Sequence, residues 1–177
     1  MWANVRRRFD ARGVTNVVWV MNYMNYPPWD CLVHDLWPGN DAVDWVAFEA
    51  YWSEQRPTWN ETVGTFYRFL ETNSNAVHTF KAKPWGVAEF GAWNASPRQV
   101  RRFYTSARDA IAYDLFPRLE MFLAFDSPGQ EGYQDLRVGY GADGRVDRAE
   151  QEAFNGIANL PRLASPPAGQ RPLSSAS

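Results

Sequence analysis

The chain places one carboxylate, Glu89, at the end of a short apolar segment, residues 83–91 (KPWGVAEFG). Between its Lys-Pro opening and its closing glycine, the segment has the length of one buried strand of a parallel sheet. In (β/α) barrels the catalytic side chains lie at the carboxyl ends of such strands. We therefore interpret Glu89 as a candidate catalytic residue, the alternative being a surface carboxylate that ends a strand.

A second apolar segment, residues 44–52 (DWVAFEAYW), adds two candidates. Strand alternation predicts that Glu49 and Tyr51 share one face, as Val87 and Glu89 do on their strand, and that both faces point into a barrel. If Glu49 lies beside Glu89, repulsion between the two charges would raise the pKa of one of these carboxyls, which suits an acid/base role. The alternatives for Glu49 are a hydrogen-bonded core carboxylate and a sugar-binding residue. Tyr51 could donate to Glu89 and hold its orientation, or it could cover the barrel rim.

Aromatic residues make up 16% of the chain, with nine Trp, eight Tyr and eleven Phe, which is more than a core of this size needs. This excess predicts surface platforms on which sugar rings can stack. Trp93 follows the 83–91 segment in a loop suited to such stacking. Trp19 is either a sugar platform or part of a barrel core. Asp126 follows the fourth predicted strand, at an end of the sheet where it could bind a sugar hydroxyl.

The composition excludes several other function classes. With 177 residues, 45% hydrophobic, 21% charged and a net charge of -2, the chain is typical of a soluble globular domain without a nucleic-acid partner. No apolar run approaches the roughly 20 residues of a membrane span, and the basic residues 1–13 lack the apolar centre of a signal peptide. Cys31, His34 and His78 have no further ligands at metal-binding spacing, so we expect neither a metal nor another cofactor.

Four apolar strands, separated by helices or long crossovers, predict an α/β fold with a parallel sheet. The strands are predicted at residues 16–23, 44–52, 83–91 and 121–127, and the helices at 2–12, 61–71, 96–115 and 147–157. A complete (β/α)8 barrel has eight strands and about 250 residues. We therefore expect residues 1–163 to form half of a TIM barrel and residues 164–177, rich in Pro, Ser and Ala, to form a disordered tail. A doubly wound α/β domain is disfavoured, because no glycine-rich phosphate loop follows any strand.

Four segments resemble, in order and spacing, the carboxyl-terminal half of the catalytic barrel of glycoside hydrolase family 26. They are residues 13–20 (GVTNVVWV), 37–46 (WPGNDAVDWV), 83–91 (KPWGVAEFG) and 125–127 (FDS). The family contains β-mannanases and related retaining endoglycanases. The resemblance assigns the four predicted strands to strands five to eight of the barrel and implies that Glu89 is the nucleophile.

The resemblance also shapes the expected activity. Retaining glycosidases need a second, acid/base carboxyl. In the family this glutamate ends the fourth strand, which has no counterpart here. We therefore expect a glycoside hydrolase-like domain for a β-linked polysaccharide such as mannan that is inactive by itself, with a non-catalytic carbohydrate-binding or structural relic as the alternative. The resemblance implies an extracellular full-length protein, and two unpaired barrel edges predict self-association.

Overall fold

The computed structural model describes residues 1–92, 95–128, 137–140 and 145–164. Four strands form one parallel sheet in the order β1–β2–β3–β4. The strands are β1 (Val20–Tyr23), β2 (Trp45–Tyr51), β3 (Trp85–Gly91) and β4 (Leu119–Ala124), and the helices are α1 (Trp2–Asp10), α2 (Trp59–Asn73), α3 (Pro97–Ala112), α4 (Arg148–Ala158) and the short α5 (Pro161–Ala164). This arrangement confirms the predicted α/β class and matches part of a (β/α)8 barrel.

The strands are shorter than predicted, most clearly at β1. The prediction began this strand at Asn16, whereas the strand begins at Val20. The backbone N–H of Trp19 donates to the side chain of Asp44 at 2.8 Å, and its carbonyl accepts from the backbone N–H groups of Asp44 and Trp45. These bonds tie the entry of β1 to the entry of β2, and regular pairing begins at the next residue.

Local sequence signals account for where the helices begin. Thr58 and Glu61 form a reciprocal capping box, in which each side chain accepts from the backbone N–H of the other, so α2 begins at Trp59. Pro97 occupies the first turn of α3, where a missing N–H costs no intrahelical bond. Asp147 caps α4 by accepting from the N–H groups of two residues in its first turn.

The core lies between one face of the sheet and helices α2, α3 and α4. Phe66 of α2 packs against Phe48 of β2, and Trp59 of α2 packs against Phe90 of β3 and Phe122 of β4. Phe90 also contacts α3 and α4 through Tyr104 and Phe154. These contacts place Phe48, Phe90 and Phe122 on the helix-covered face of the sheet, and the opposite face carries polar side chains together with the exposed Leu123 of β4.

Helix α1 contributes no buried residue and lies against the entry of β1. Its Trp2 and Phe9 rings contact the ring of Trp19, and Arg6 lies over the same ring. None of the helices within the described residues is long and apolar enough to span a membrane. The predicted tail begins at Ala164, which ends α5, and its remainder, residues 165–177, lies outside the described residues.

Candidate functional site

Four polar side chains from three neighbouring strands meet on the face of the sheet opposite the helices. The hydroxyl of Tyr51 donates to Oε2 of Glu89 at 2.7 Å, joining β2 to β3. The amide of Asn22 on β1 donates to Oε1 of Glu49 at 3.4 Å. Glu49 and Glu89 are paired residues in the sheet register, so their side chains leave neighbouring strands at the same level. The structure therefore brings together three predicted site residues, Glu49, Tyr51 and Glu89.

A shift in register places Glu89 on this face. Phe48 pairs with Val87, but the next residue of β2, Glu49, pairs with Glu89, so β3 has one extra residue at this point. Val87 lies on the helix-covered face with its partner Phe48, and Glu89 lies on the opposite face. The prediction that Val87 and Glu89 share a face is therefore wrong, because a bulge reverses the alternation between them. The prediction that Glu49, Tyr51 and Glu89 share a face is correct.

The charge of Glu89 affects the pKa of Glu49, and both carboxyls affect the pKa of Tyr51. Partial burial raises the pKa of Glu49, and the charge of Glu89 raises it further, while the hydrogen bond from Asn22 lowers it. Burial, the hydrogen bond to Glu89 and the two carboxylate charges all raise the pKa of the Tyr51 hydroxyl. Tyr51 is therefore a protonated donor throughout the physiological range, and its proton points to Glu89.

The end of β4 borders the site through an aromatic ring. The ring of Phe125 contacts the ring of Tyr51 edge to face, with the centroids 6.4 Å apart. Asp126, the next residue, is exposed, and its Oδ1 accepts from the backbone N–H of Val138 at 3.0 Å. One carboxylate oxygen of Asp126 thus holds a neighbouring segment of the chain, and a glycan hydroxyl would have the other oxygen available.

The remaining two predicted site residues are not among these groups. Trp19 lies at the amino end of β1, half-buried by Trp2 and Phe9, whereas the Tyr51–Glu89 bond lies at the carboxyl ends of the strands. Its ring contacts are with α1, and Trp19 is not among the buried core residues with which the alternative prediction placed it. Trp93 lies outside the described residues.

Sequence reasoning missed Asn22, which contributes the amide that faces Glu49. The signal in the sequence was the polar type of Asn22 inside an apolar strand. Asn22 pairs with Ala47 of β2, which by alternation shares the face of Glu49 and Tyr51. A single asparagine is also common near strand ends, so the residue type by itself does not distinguish a site residue from a turn residue.

The chemistry of this group is that of two carboxyls with a fixed hydroxyl donor. Glu89, held by Tyr51, can attack an electrophilic carbon, and Glu49 can hold or release a proton beside it. Within the described ranges, no group of three or more His, Cys, Asp or Glu side chains is arranged to hold a metal ion. Glu150 is a further carboxyl whose pKa is raised, but it is a buried residue of α4 and does not belong to this group.

Comparisons with known proteins give a likeness to solved structures but none to a family profile or a curated sequence. No protein-family profile matches the chain, and no curated protein sequence matches it. Among solved structures, the one titled "The crystal structure of CbXyn10B in native form" is similar to it with a TM-score of 0.48 and 12% sequence identity. The alignment covers 88% of this chain and 53% of that one, so the chain spans about half the length of the structure that it resembles.

Proposed function

We propose that this chain is a glycoside hydrolase-like domain in which Glu89 is the nucleophile for retaining hydrolysis of a β-linked polysaccharide such as mannan. The observation that carries the proposal is the 2.7 Å bond from the Tyr51 hydroxyl to Glu89, beside a second carboxyl in register. The bond directs one oxygen of Glu89 toward the tyrosine and leaves the other to face a bound sugar. The resemblance to glycoside hydrolase family 26 agrees with this role.

The mechanism requires two carboxyls with different tasks. In retaining hydrolysis one carboxylate attacks the anomeric carbon and a second carboxyl, about 5 to 5.5 Å away, protonates the leaving oxygen. Tyr51 would keep the attacking carboxylate oriented and ionised by donating to it. We propose that the acid/base carboxyl comes from strands other than the four described here, and that residues 1–177 by themselves bind glycan without hydrolysing it.

A non-catalytic carbohydrate-binding domain is the second candidate function. It is favoured by the bond between Asn22 and Glu49, because a carboxyl that accepts from an amide is suited to holding a sugar hydroxyl. Phe125 adds an aromatic ring beside Tyr51 at the edge of the same group. Under this alternative Glu89 would contribute to affinity and never form a covalent bond.

Reconstitution separates the two functions. The chain would be combined with a four-strand amino-terminal half of a family 26 barrel and assayed on β-mannan, with β-xylan as the second substrate. We expect hydrolysis with retention of anomeric configuration, detected by NMR of the first product, and a loss of at least about 10³-fold in Glu89→Gln. Glu152→Gln, on the exposed side of α4, is the matched control and should remain active. Glycan binding that is weaker in Glu89→Gln than in wild type, with no hydrolysis by either, would support the binding domain.

We also propose that the full-length protein acts outside the cell, where polysaccharides too large for uptake are degraded. This proposal rests on the family resemblance. The measurement is the distribution of the full-length protein between culture medium and cells after expression from its native gene. Retention inside intact cells would contradict it.

A further inference from the structure

The paired position of Glu49 and Glu89 creates a problem of charge. Neighbouring strands lie about 4.8 Å apart, and paired side chains on one face leave the sheet side by side. Two ionised carboxyls at this separation repel each other, and partial burial strengthens the repulsion because less water screens it. Ionising both groups is therefore less favourable than ionising two isolated carboxyls, and one carboxyl of the pair retains its proton to a higher pH than the other.

The hydrogen bonds decide which carboxyl holds the proton. Glu89 accepts a short bond, 2.7 Å, from the Tyr51 hydroxyl, and such a bond stabilises the ionised acceptor. Glu49 accepts only a long bond, 3.4 Å, from the neutral amide of Asn22. The ionised form is thus better stabilised at Glu89. The raised pKa of Glu49, which comes from burial and from the charge of Glu89, agrees with this order.

We propose that Glu49 is the carboxyl of this pair that holds the proton, so that, while the pair holds one proton, the site presents Glu89 as a carboxylate acceptor and Glu49 as a carboxylic acid donor. Among the described residues, the groups that face Glu49 are Asn22 from β1, Glu89 from β3 and Tyr51 from its own strand. A donor beside an acceptor matches neighbouring hydroxyls of a neutral glycan, which donate and accept in the same way. The carboxylate of Glu89 would repel the negative charge of an acidic sugar, so this site selects neutral glycans.

The position of the proton is tested without any ligand. The side-chain carboxyl carbons of glutamate would be labelled with ¹³C, and Glu49 would be assigned by the signal missing from Glu49→Gln. We expect Glu49 to titrate above the usual glutamate value, and Glu89→Gln to lower that midpoint because the neighbouring charge is removed. Glu152→Gln should leave the midpoint unchanged. A midpoint at or below the usual value, or one that Glu89→Gln does not move, would overturn the proposal.

The choice of ligand rests on the proposed function and is tested separately with a mannan oligosaccharide. Loss of the Glu49 proton removes one donor, so we expect wild-type affinity to fall about two- to tenfold as pH rises through the Glu49 midpoint. Glu49→Gln keeps an N–H donor at every pH and should not show this fall. The same fall in Glu49→Gln would overturn the donor role. The expected titration without binding of the oligosaccharide by any variant would overturn the proposed function and leave the assignment of the proton in place.

Discussion

At the scale of single residues, the site depends on Tyr51, which acts only as the hydrogen-bond donor to Glu89 and never as the acceptor. The pKa of the Tyr51 hydroxyl is raised by burial and by two neighbouring carboxyls, so this group donates and does not become a competing anion. Its ring is also held from the side by Phe125. Glu89 consequently has one oxygen in a fixed hydrogen bond and a restricted set of rotamers, which is what a nucleophile needs to attack along one direction.

Replacing Tyr51 with phenylalanine tests this fixed donor. In the reconstituted barrel we expect Tyr51→Phe to lower kcat/KM on mannan by about 10- to 100-fold, since a hydrogen bond to a charged group contributes about 1.5 to 3 kcal/mol. The ring and its contact with Phe125 are retained, so folding should be little changed. Tyr113→Phe, at an exposed hydroxyl after α3, is the control and should retain full activity. An equal loss in both variants would contradict a specific role for Tyr51.

Glu150 predicts a pH dependence of stability that is independent of the site. Its side chain is only 3% exposed, and burial together with nearby Asp147 raises its pKa from 4.5 to about 7, against the opposing effect of Arg101. Between these two values the folded chain holds a proton that the unfolded chain has released. The free energy of unfolding should therefore fall as pH rises from 4.5 to 7, by on the order of 2 kcal/mol from this group.

Chemical denaturation at several pH values measures this fall. Glu150→Gln removes the titrating group, so the slope between pH 4.5 and 7 should be smaller in this variant than in wild type. Glu152→Gln, two residues further along α4 and on its exposed side, should keep the wild-type slope. A wild-type slope in Glu150→Gln would show that another group is responsible.

At the scale of elements, the bulge in β3 shows both how far sequence reasoning extends and where it ends. Apolar segments predicted all four strands, and N-caps at Thr58 and Ser96 explain two helix starts. Strict alternation predicted the shared face of Glu49 and Tyr51, which lie on a regular strand. It could not predict the face of Val87, because the extra residue in β3 arises from pairing with β2 and leaves no mark in local sequence.

The close contact between β3 and β4 at Gly86 predicts a packing defect. A Cβ added at Gly86 would lie 2.7 Å from Cε and 3.0 Å from Cβ of Met121, its partner on β4. We expect Gly86→Ala to destabilise the fold by about 1 to 3 kcal/mol, because the two strands must separate or Met121 must move. In a double-mutant cycle, Met121→Ala should relieve part of this cost. Additive effects would show that the alanine meets something other than Met121.

At the scale of the whole molecule, the sheet has one covered face and two open edges. The helices bury the apolar face, while the other face carries the candidate site together with exposed apolar side chains near β4. Within the described residues, no strand pairs with the outer edge of β1 or of β4. Each edge strand therefore presents backbone N–H donors and C=O acceptors with which another strand can form hydrogen bonds. Because β1 and β4 run in the same direction, the β4 edge of one copy can pair in parallel with the β1 edge of another.

We expect these edges to make the chain associate with itself at micromolar concentrations or above, as a concentration-dependent increase in mass by light scattering. Leu123 on β4 is 51% exposed, and Leu123→Lys places a charge at that edge, which should shift the chain toward monomer. Val77→Lys is the matched control, because Val77 is 70% exposed in the connection between α2 and β3, outside all four strands, and the substitution adds the same charge. If Val77→Lys dissociates the chain as well as Leu123→Lys does, net charge and not the β4 edge controls association. If wild type remains monomeric at all concentrations with cooperative thermal unfolding, the open edges are tolerated in solution, and the proposal of self-association is wrong.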